Sequence, residues 1–397
     1  MNKDDLSQDE IYFDRETSYV KHQILREYLE QFAHIIGFNW NVINYVDCFS
    51  GPWGVKTDDY RDSSFAIALS ELRLARQTHL KLKPGNALTL RCFFLEKNPS
   101  AYSKLKEFAD KENGIAGARI STKNAALEDS ISDIRKFVAE GGKSFSFVFI
   151  DPTGWTGFSM EKITPLLKLK NSEVLINLMT GDIRRFVESP DDATQESLKR
   201  LFGSIEFRDR VRGLQGQDKE DAVVEVYREI LERVGGFNYT ADALVLHKSN
   251  DSTRYHLIYA TRNPKGEDVF KKSEKKAMED MRKARAESDK RRTETGQGEL
   301  FAADVLHETP YFESLCMRYR EKAKAQVKAE LQKTHRVTYD KAWVLALKEP
   351  LVWESDLKDW IKDWGKKGLL TIQGLKGKQR VPKFGENHWL VWQGPAV

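Results

Sequence analysis

Tyr45-Val46-Asp47-Cys48-Phe49-Ser50-Gly51-Pro52-Trp53-Gly54 is a short apolar run that stops on an acidic residue and breaks into a glycine-containing turn. Phe147-Val148-Phe149-Ile150-Asp151-Pro152-Thr153-Gly154-Trp155 repeats that design about a hundred residues further on. In an open α/β sheet, ligands bind outside the carboxyl ends of the strands, where glycine lets the backbone approach them closely. Either stretch alone is a pattern that arises by chance. In this order and at this spacing, the two predict strands of one sheet whose tips share a site.

Working outward from them, Tyr19, Ile24, Leu25, Tyr28, Leu29, Phe32 and Ile35 recur at helical spacing and predict a helix over 17–37, closed by Gly37. Strands are predicted at 42–48, 88–95, 119–122, 144–150 and 173–178. Helices are predicted between them at 63–77, 101–111, 127–139 and 162–169. The run Ser144–Ile150 is apolar apart from its serines, as suits a strand covered on both faces. Strands and helices alternating at these lengths argue for a doubly wound, mostly parallel sheet. After helices at 194–202 and 219–234, the alternating runs 243–247 and 255–260 predict an antiparallel hairpin that completes seven strands.

The C-terminal part has a different character. Residues 271–292 form a charge-dense helical pattern, 293–298 a break and 312–333 a further helix. From Thr338 the chain reads as helices, with Ser355 as an N-cap, followed by two strands joined by the basic, glycine-rich segment 374–384. That is a winged-helix order, and Lys376, Lys378 and Arg380, with Lys383, are placed to meet phosphates. A small capping or dimerisation domain has the same outline. The expected division is 1–270 for the sheet domain, 271–337 for a charged helical linker or insert and 338–397 for the winged-helix-like α+β domain.

Composition narrows the class. Hydrophobic residues make up 40% of the 397 and aromatics 11%, enough for a sizeable core and against general disorder. No apolar run approaches the roughly 20 residues of a membrane helix, and Met1–Glu16 has no signal-peptide core, so a cytoplasmic protein without membrane contact is expected. Cys48, Cys92 and Cys316 are too few and too scattered for a disulfide framework or a paired-cysteine metal site. Net charge is +4, unevenly spread: residues 271–397 carry 27 Lys/Arg against 19 Asp/Glu, and the rest of the chain 37 against 41. A basic tail on a mildly acidic body suggests a polyanion partner, although a solvated lysine-rich surface has the same composition.

The residues at the strand tips suggest a chemistry. A first strand ending in Asp-x-Phe-Ser-Gly and a later one ending in Asp-Pro is the layout of an S-adenosylmethionine-dependent methyltransferase. Asp47, Phe49, Gly51 and Gly54 would wrap the amino acid part of that cofactor. Glu96, ending the second strand, would accept its ribose hydroxyls. Asn124 is a candidate adenine contact or a polar turn residue. Asp151 and Pro152 would orient a base amino group, with Trp155 stacking on the base. Thr153 stands where amino-methyltransferases carry a second proline, and the aromatic follows one position late. No cysteine follows Asp151 before Cys316, which disfavours a cytosine-C5 mechanism, and Cys48 is expected to pack beneath the turn. Lys21, His22, Asn177 and Arg184 are candidate substrate contacts or solvated polar residues.

With these residues in hand, the chain resembles the three-Cys-motif partner protein family. The resemblance rests on Lys21-His22 with Leu25 and Tyr28-Leu29, on Tyr45–Pro52, on Asp151-Pro152-Thr153-Gly154, on Leu175-Ile176-Asn177 with Arg184, and on Tyr255–Gly266. It implies a class I methyltransferase-like fold and a partner protein with three cysteines that resembles radical S-adenosylmethionine enzymes, in a mobile-element setting. Two motifs depart from the family pattern: Asp62-Ser63-Ser64 replaces Gly-Ser-Pro, and Thr153 replaces Phe in Asp-Pro-Phe-Gly. The expected function is methyl transfer to nucleic acid, DNA or RNA. The alternative is a non-catalytic adaptor that binds cofactor or nucleic acid for that partner.

Overall fold

The computed structural model describes residues 11–12, 15–85, 88–247, 251–295 and 310–395. Its larger compact unit runs to Met281, apart from 241–243, and is built on one seven-stranded sheet. The strands are β1 (Val42–Asp47), β2 (Thr89–Glu96), β3 (Ala118–Asn124), β4 (Phe145–Ile150), β5 (Ser172–Leu178), β6 (Tyr239–Leu246) and β7 (Thr253–Thr261). They lie in the order β3-β2-β1-β4-β5-β7-β6. Every pairing from β3 to β5 is parallel, and β7 joins β5 antiparallel. This is the class I methyltransferase topology, a doubly wound sheet with one reversed strand.

Side chains alternate across a strand, so each strand feeds two layers. Val46, Val148, Ile150 and Ile176 face one core, which is closed by α4 (Ile131–Glu140), α5 (Met160–Leu167), α7 (Asp192–Phe202) and α9 (Gly216–Gly235). Tyr45 and Phe147 face the other and stack at 6.0 Å beneath α1 (Glu16–Asn39). Tyr28 and Phe32 of α1 reach Phe147 at 5.2 and 5.5 Å. On β2, Phe94 meets Phe65 of α2 (Ser64–Leu82) at 5.9 Å. Every residue of β5 is buried, including the polar Ser172, Glu173 and Asn177.

A polar network fixes α1 in place. Glu173 of β5 is buried and accepts hydrogen bonds from the Tyr28 hydroxyl and from Thr261 Oγ1 at 2.9 Å, while Tyr28 and Tyr259 share a bond of 2.9 Å. Burial pushes the Glu173 carboxyl up, although these donors pull the other way. Only glycine fits at 266, because a Cβ there would lie 2.4 Å from both Glu173 Oε1 and the Tyr259 hydroxyl. Lys21 sits two turns before Tyr28 on the same helix face, so the network also sets where Lys21 points.

The second unit comprises 282–397 with 241–243. In it α11 (Pro310–Thr334), α12 (Tyr339–Leu347) and α13 (Glu354–Lys366) accompany an antiparallel sheet β8-β10-β9 of Arg336–Thr338, Trp389–Trp392 and Leu370–Gln373. Trp343, Leu357, Ile361, Trp364 and Leu390 form its buried centre. The helix expected to start after Ser355 begins two residues earlier: Trp353 is the N-cap residue, and Asp356 accepts from its backbone N–H at 2.8 Å. The charged helix is longer than expected, α10 spanning Pro264–Thr295, and the predicted break continues outside the described residues. Among the described residues, β8, α6 (Thr180–Phe186), α8 (Phe207–Val211) and a short helical turn at Ile115–Gly117 had no sequence counterpart.

Candidate functional site

Because β1, β2, β4 and β5 run parallel, their carboxyl ends emerge on one edge of the sheet. The strand order turns back between β1 and β4, which is where such sheets hold ligands.

At the tip of β1, Asp47 has no exposed surface. Its carboxylate accepts from the Phe49 backbone N–H at 3.1 Å and from the Ser64 hydroxyl at 2.8 Å, and Ser50 Oγ donates to its carbonyl. Burial raises the Asp47 carboxyl to about 6 despite these donors. Asp47 therefore shapes the turn from beneath rather than facing a ligand. The far side of the turn is organised by Asp62, which receives Thr57 Oγ1 at 2.6 Å, the Lys56 backbone N–H at 2.9 Å and the Arg15 guanidinium. Burial alone would raise the Asp62 carboxyl, but these bonds outweigh it and hold it low. Ser63 caps α2 by accepting from Ala66 N. The Asp62-Ser63-Ser64 departure is thus an alternative set of struts for the same loop.

Gly51 lies under the tip of β2. A Cβ there would stand 2.2 Å from both Glu96 Oε2 and Trp53 Nε1. Glu96 is buried, and its Oε1 accepts from Asn98 N at 2.6 Å, which leaves Oε2 aimed across Gly51. Trp53 is 55% exposed. Gly54 adopts φ +64°, a left-handed conformation that favours glycine. Asn124 donates its amide to the carbonyls of Glu96 and Lys97, at 2.8 and 3.1 Å, so it fixes the β2 exit.

Beyond β4, Asp151 joins two residues from distant elements. Lys21 Nζ of α1 donates to Asp151 Oδ2 at 2.5 Å, and Asn177 Nδ2 of β5 donates to Oδ1 at 2.7 Å. Lys21 and Asp151 keep 13% and 12% of their side-chain surface open. Tyr255 of β7 borders them, with the Lys21 ammonium 6.0 Å from its ring centre and its hydroxyl donated to Thr17 O. The neighbouring His22 is buried against the Tyr12 hydroxyl at 3.0 Å, and burial among Lys21, Arg15 and Arg26 pushes its pKa far down. It is therefore a neutral packing residue.

Pro152 is buried beside Gly157 and Phe49. Trp155 is engaged on its own side of the sheet: Nε1 donates to Ser197 at 3.1 Å and the ring lies 5.5 Å from Phe186. Arg184 also turns inward. Its guanidinium donates to Glu220 Oε2 at 2.8 Å, while Thr180 donates to Oε1 and His256 approaches it at 3.3 Å. Glu220 has no exposed surface. An open groove of about 640 Å³ runs along α2 and α3 (Pro99–Glu112) and is bordered at one end by Asp62. Two of its arginines, Arg26 and Arg73, are paired with Glu71 and Glu112.

In the second unit, Lys376, Lys378, Arg380 and Lys383 all stand exposed on the loop between β9 and β10. Among the described residues no His/Cys/Asp/Glu cluster could hold a metal ion, and no helix is long and apolar enough to cross a membrane.

Sequence reasoning missed Arg15, Asp62, Ser64, Glu220 and Tyr255. Asp62 and Ser64 carried a signal, as departures from the family pattern, and Tyr255 lay inside a quoted motif. Arg15 and Glu220 carried none.

No protein-family model matches the chain, and no curated protein does. Among solved structures, it is similar to Trm1 from Pyrococcus horikoshii in complex with S-adenosyl-L-methionine, at 11% identity and TM-score 0.34 over 67% of this chain and 61% of that one. A Legionella pneumophila protein aligns at 10% identity and TM-score 0.33, over 61% of this chain and 84% of that one. The O-methyltransferase from Bacillus cereus in complex with SAH aligns at 11% and 0.30, over 59% and 80%. The chain thus spans about six tenths of Trm1.

Proposed function

We propose that this chain is an S-adenosylmethionine-dependent methyltransferase acting on nucleic acid. The observation that carries the reading is the convergence of Gly51, Glu96 and the Lys21–Asp151–Asn177 cluster at the turning point of the strand order. The residues present fit the cofactor: a buried carboxylate with one oxygen aimed across a glycine suits a ribose diol. Gly51 and Gly54 would allow close approach of its amino acid part, with Phe49 beside them, and Asp47 and Asn124 would hold the walls. When bound, S-adenosylmethionine supplies a methyl group activated on a sulfonium. Asp151 and Pro152 would align the acceptor next to it. The C-terminal α+β unit, read as a winged helix over 338–397 after a charged 271–337 segment, would hold the strand through Lys376, Lys378 and Arg380. A three-cysteine, radical S-adenosylmethionine-like protein remains the partner that the family resemblance suggests.

The test is transfer of label from tritiated cofactor to total cellular RNA and genomic DNA. Label in nucleic acid, lost in Asp151→Ala while cofactor affinity stays within about threefold, is the expected outcome. Label confined to protein would contradict the reading. The engagement of Trp155 with Ser197 and Phe186 favours a second reading, a non-catalytic adaptor, which predicts cofactor binding without turnover on any substrate.

A further inference from the structure

We infer that the acceptor atom is a hydroxyl oxygen, which in nucleic acid means the ribose 2′-hydroxyl of RNA. The inference rests on the methyltransferase reading above and concerns the same site. It follows from what Asp151 already binds. An exocyclic base amine has one lone pair, and that pair must face the sulfonium. Such a target tolerates no strong donor beside that lone pair. The tip of β4 is built otherwise. Asp151 Oδ1 is engaged by Asn177 and Oδ2 by the Lys21 ammonium. Lys21 keeps two further N–H donors in a part-buried position, fixed by the α1 network around Tyr28 and Glu173. A cationic donor beside an amine would compete for its only lone pair.

A hydroxyl suits the same arrangement. Its oxygen carries two lone pairs and one proton, and it both donates and accepts. One lone pair accepts from Lys21, the proton points to a remaining lone-pair site of Asp151, and the second lone pair is left for attack. The hydroxyl oxygen bonds to the methyl carbon as the carbon–sulfur bond breaks, leaving that electron pair on sulfur as a neutral thioether. The hydroxyl proton passes to the Asp151 carboxylate and from there to water. Asn177 is a positioning residue: buried, it holds Asp151 in the rotamer that also meets Lys21. The ribose 2′-hydroxyl is the group that distinguishes RNA from DNA at such a site.

The experiment uses the full chain with three readouts. Cofactor binding by calorimetry comes first, and its absence would overturn the methyltransferase reading itself. The second is the affinity, in saturating S-adenosylhomocysteine, for a mixed-sequence RNA pool against DNA of the same sequences, by fluorescence anisotropy. RNA is expected to bind about tenfold more tightly, and Lys21→Ala to erase the difference, as for one charge-assisted hydrogen bond. The third is the position of transferred methyl in total cellular RNA and genomic DNA, by nuclease digestion and mass spectrometry. Methyl on ribose oxygen is expected, falling at least about 100-fold in Lys21→Ala and Asp151→Asn with cofactor affinity intact. Methyl on a base nitrogen, methyl in DNA, or none in RNA from a cofactor-binding protein would overturn the inference. Lys21→Gln, which keeps the stem, guards against a variant that merely fails to fold.

Discussion

Replacing Gly51 with alanine probes the cradle at its narrowest point. The new Cβ would sit 2.2 Å from Glu96 Oε2 and Trp53 Nε1, closer than real Cβ contacts come, so both groups must retreat by about 1 Å. Trp53 is 55% exposed and swings away at little cost. Glu96 is not free to do so, because moving it breaks or strains the bond from the Asn98 backbone N–H at 2.6 Å. Loss of a hydrogen bond to a charged group costs about 1.5–3 kcal/mol, so stability should fall by about 1–3 kcal/mol in urea titration. If Glu96 accepts the cofactor's ribose hydroxyls, the same displacement should weaken binding about 10- to 100-fold in calorimetry. Gly114→Ala, before β3 and away from the strand tips, is the control. At φ +83° it costs about 1 kcal/mol of backbone strain, while no atom lies within 4 Å of its Cβ, so affinity should stay within about threefold. Full affinity in Gly51→Ala, or an equal loss in Gly114→Ala, would refute the reasoning.

Other consequences are open to direct measurement. The Asp47 carboxyl, raised to about 6 by burial, binds protons in the folded state that it releases when unfolded, so its contribution to stability falls as pH rises from 4 to 6. The stability of the native protein relative to Asp47→Asn should therefore decline by about 3 kcal/mol over that window and level off above pH 7, in denaturant titrations at each pH. Arg184→Ala leaves the buried Glu220 charge without its guanidinium and should cost about 3 kcal/mol, with Arg184→Ala/Glu220→Gln recovering part of it. Neutralising Lys376, Lys378 and Arg380 together should flatten the dependence of log K on log salt for RNA by about 2–3. An unchanged slope would remove that loop from the interface.

The fold was legible because its deciding features are local. Apolar runs that end on Asp47, Glu96 and Asp151, with helices between them, need no tertiary information to be recognised, and the hairpin of β6 and β7 announced itself by alternation. Short elements escaped: Thr180–Phe186 is one polar-rich segment of under two turns, with no periodicity to detect. In the site, sequence could nominate Lys21, Asp151 and Asn177 separately. It could not show that 130 residues of separation close to a 2.5 Å contact, and on sequence alone a solvated Lys21-His22 pair was the better reading. Burial of Glu220 was invisible because its neighbours Gln217, Asp218, Lys219 and Asp221 mark a surface turn of helix, and only packing by α6 and β7 makes it interior. The role of Asp62 was hidden for a similar reason, since its partner Arg15 lies far back in the chain.

The central claim is that the tips of β1 and β2 form a cofactor site. The most direct test is calorimetric titration of the full chain with S-adenosylmethionine, beside Glu96→Ala. Micromolar binding at one site per chain that is lost in Glu96→Ala is the predicted result. No binding by the native protein, or binding unchanged by the substitution, would contradict it.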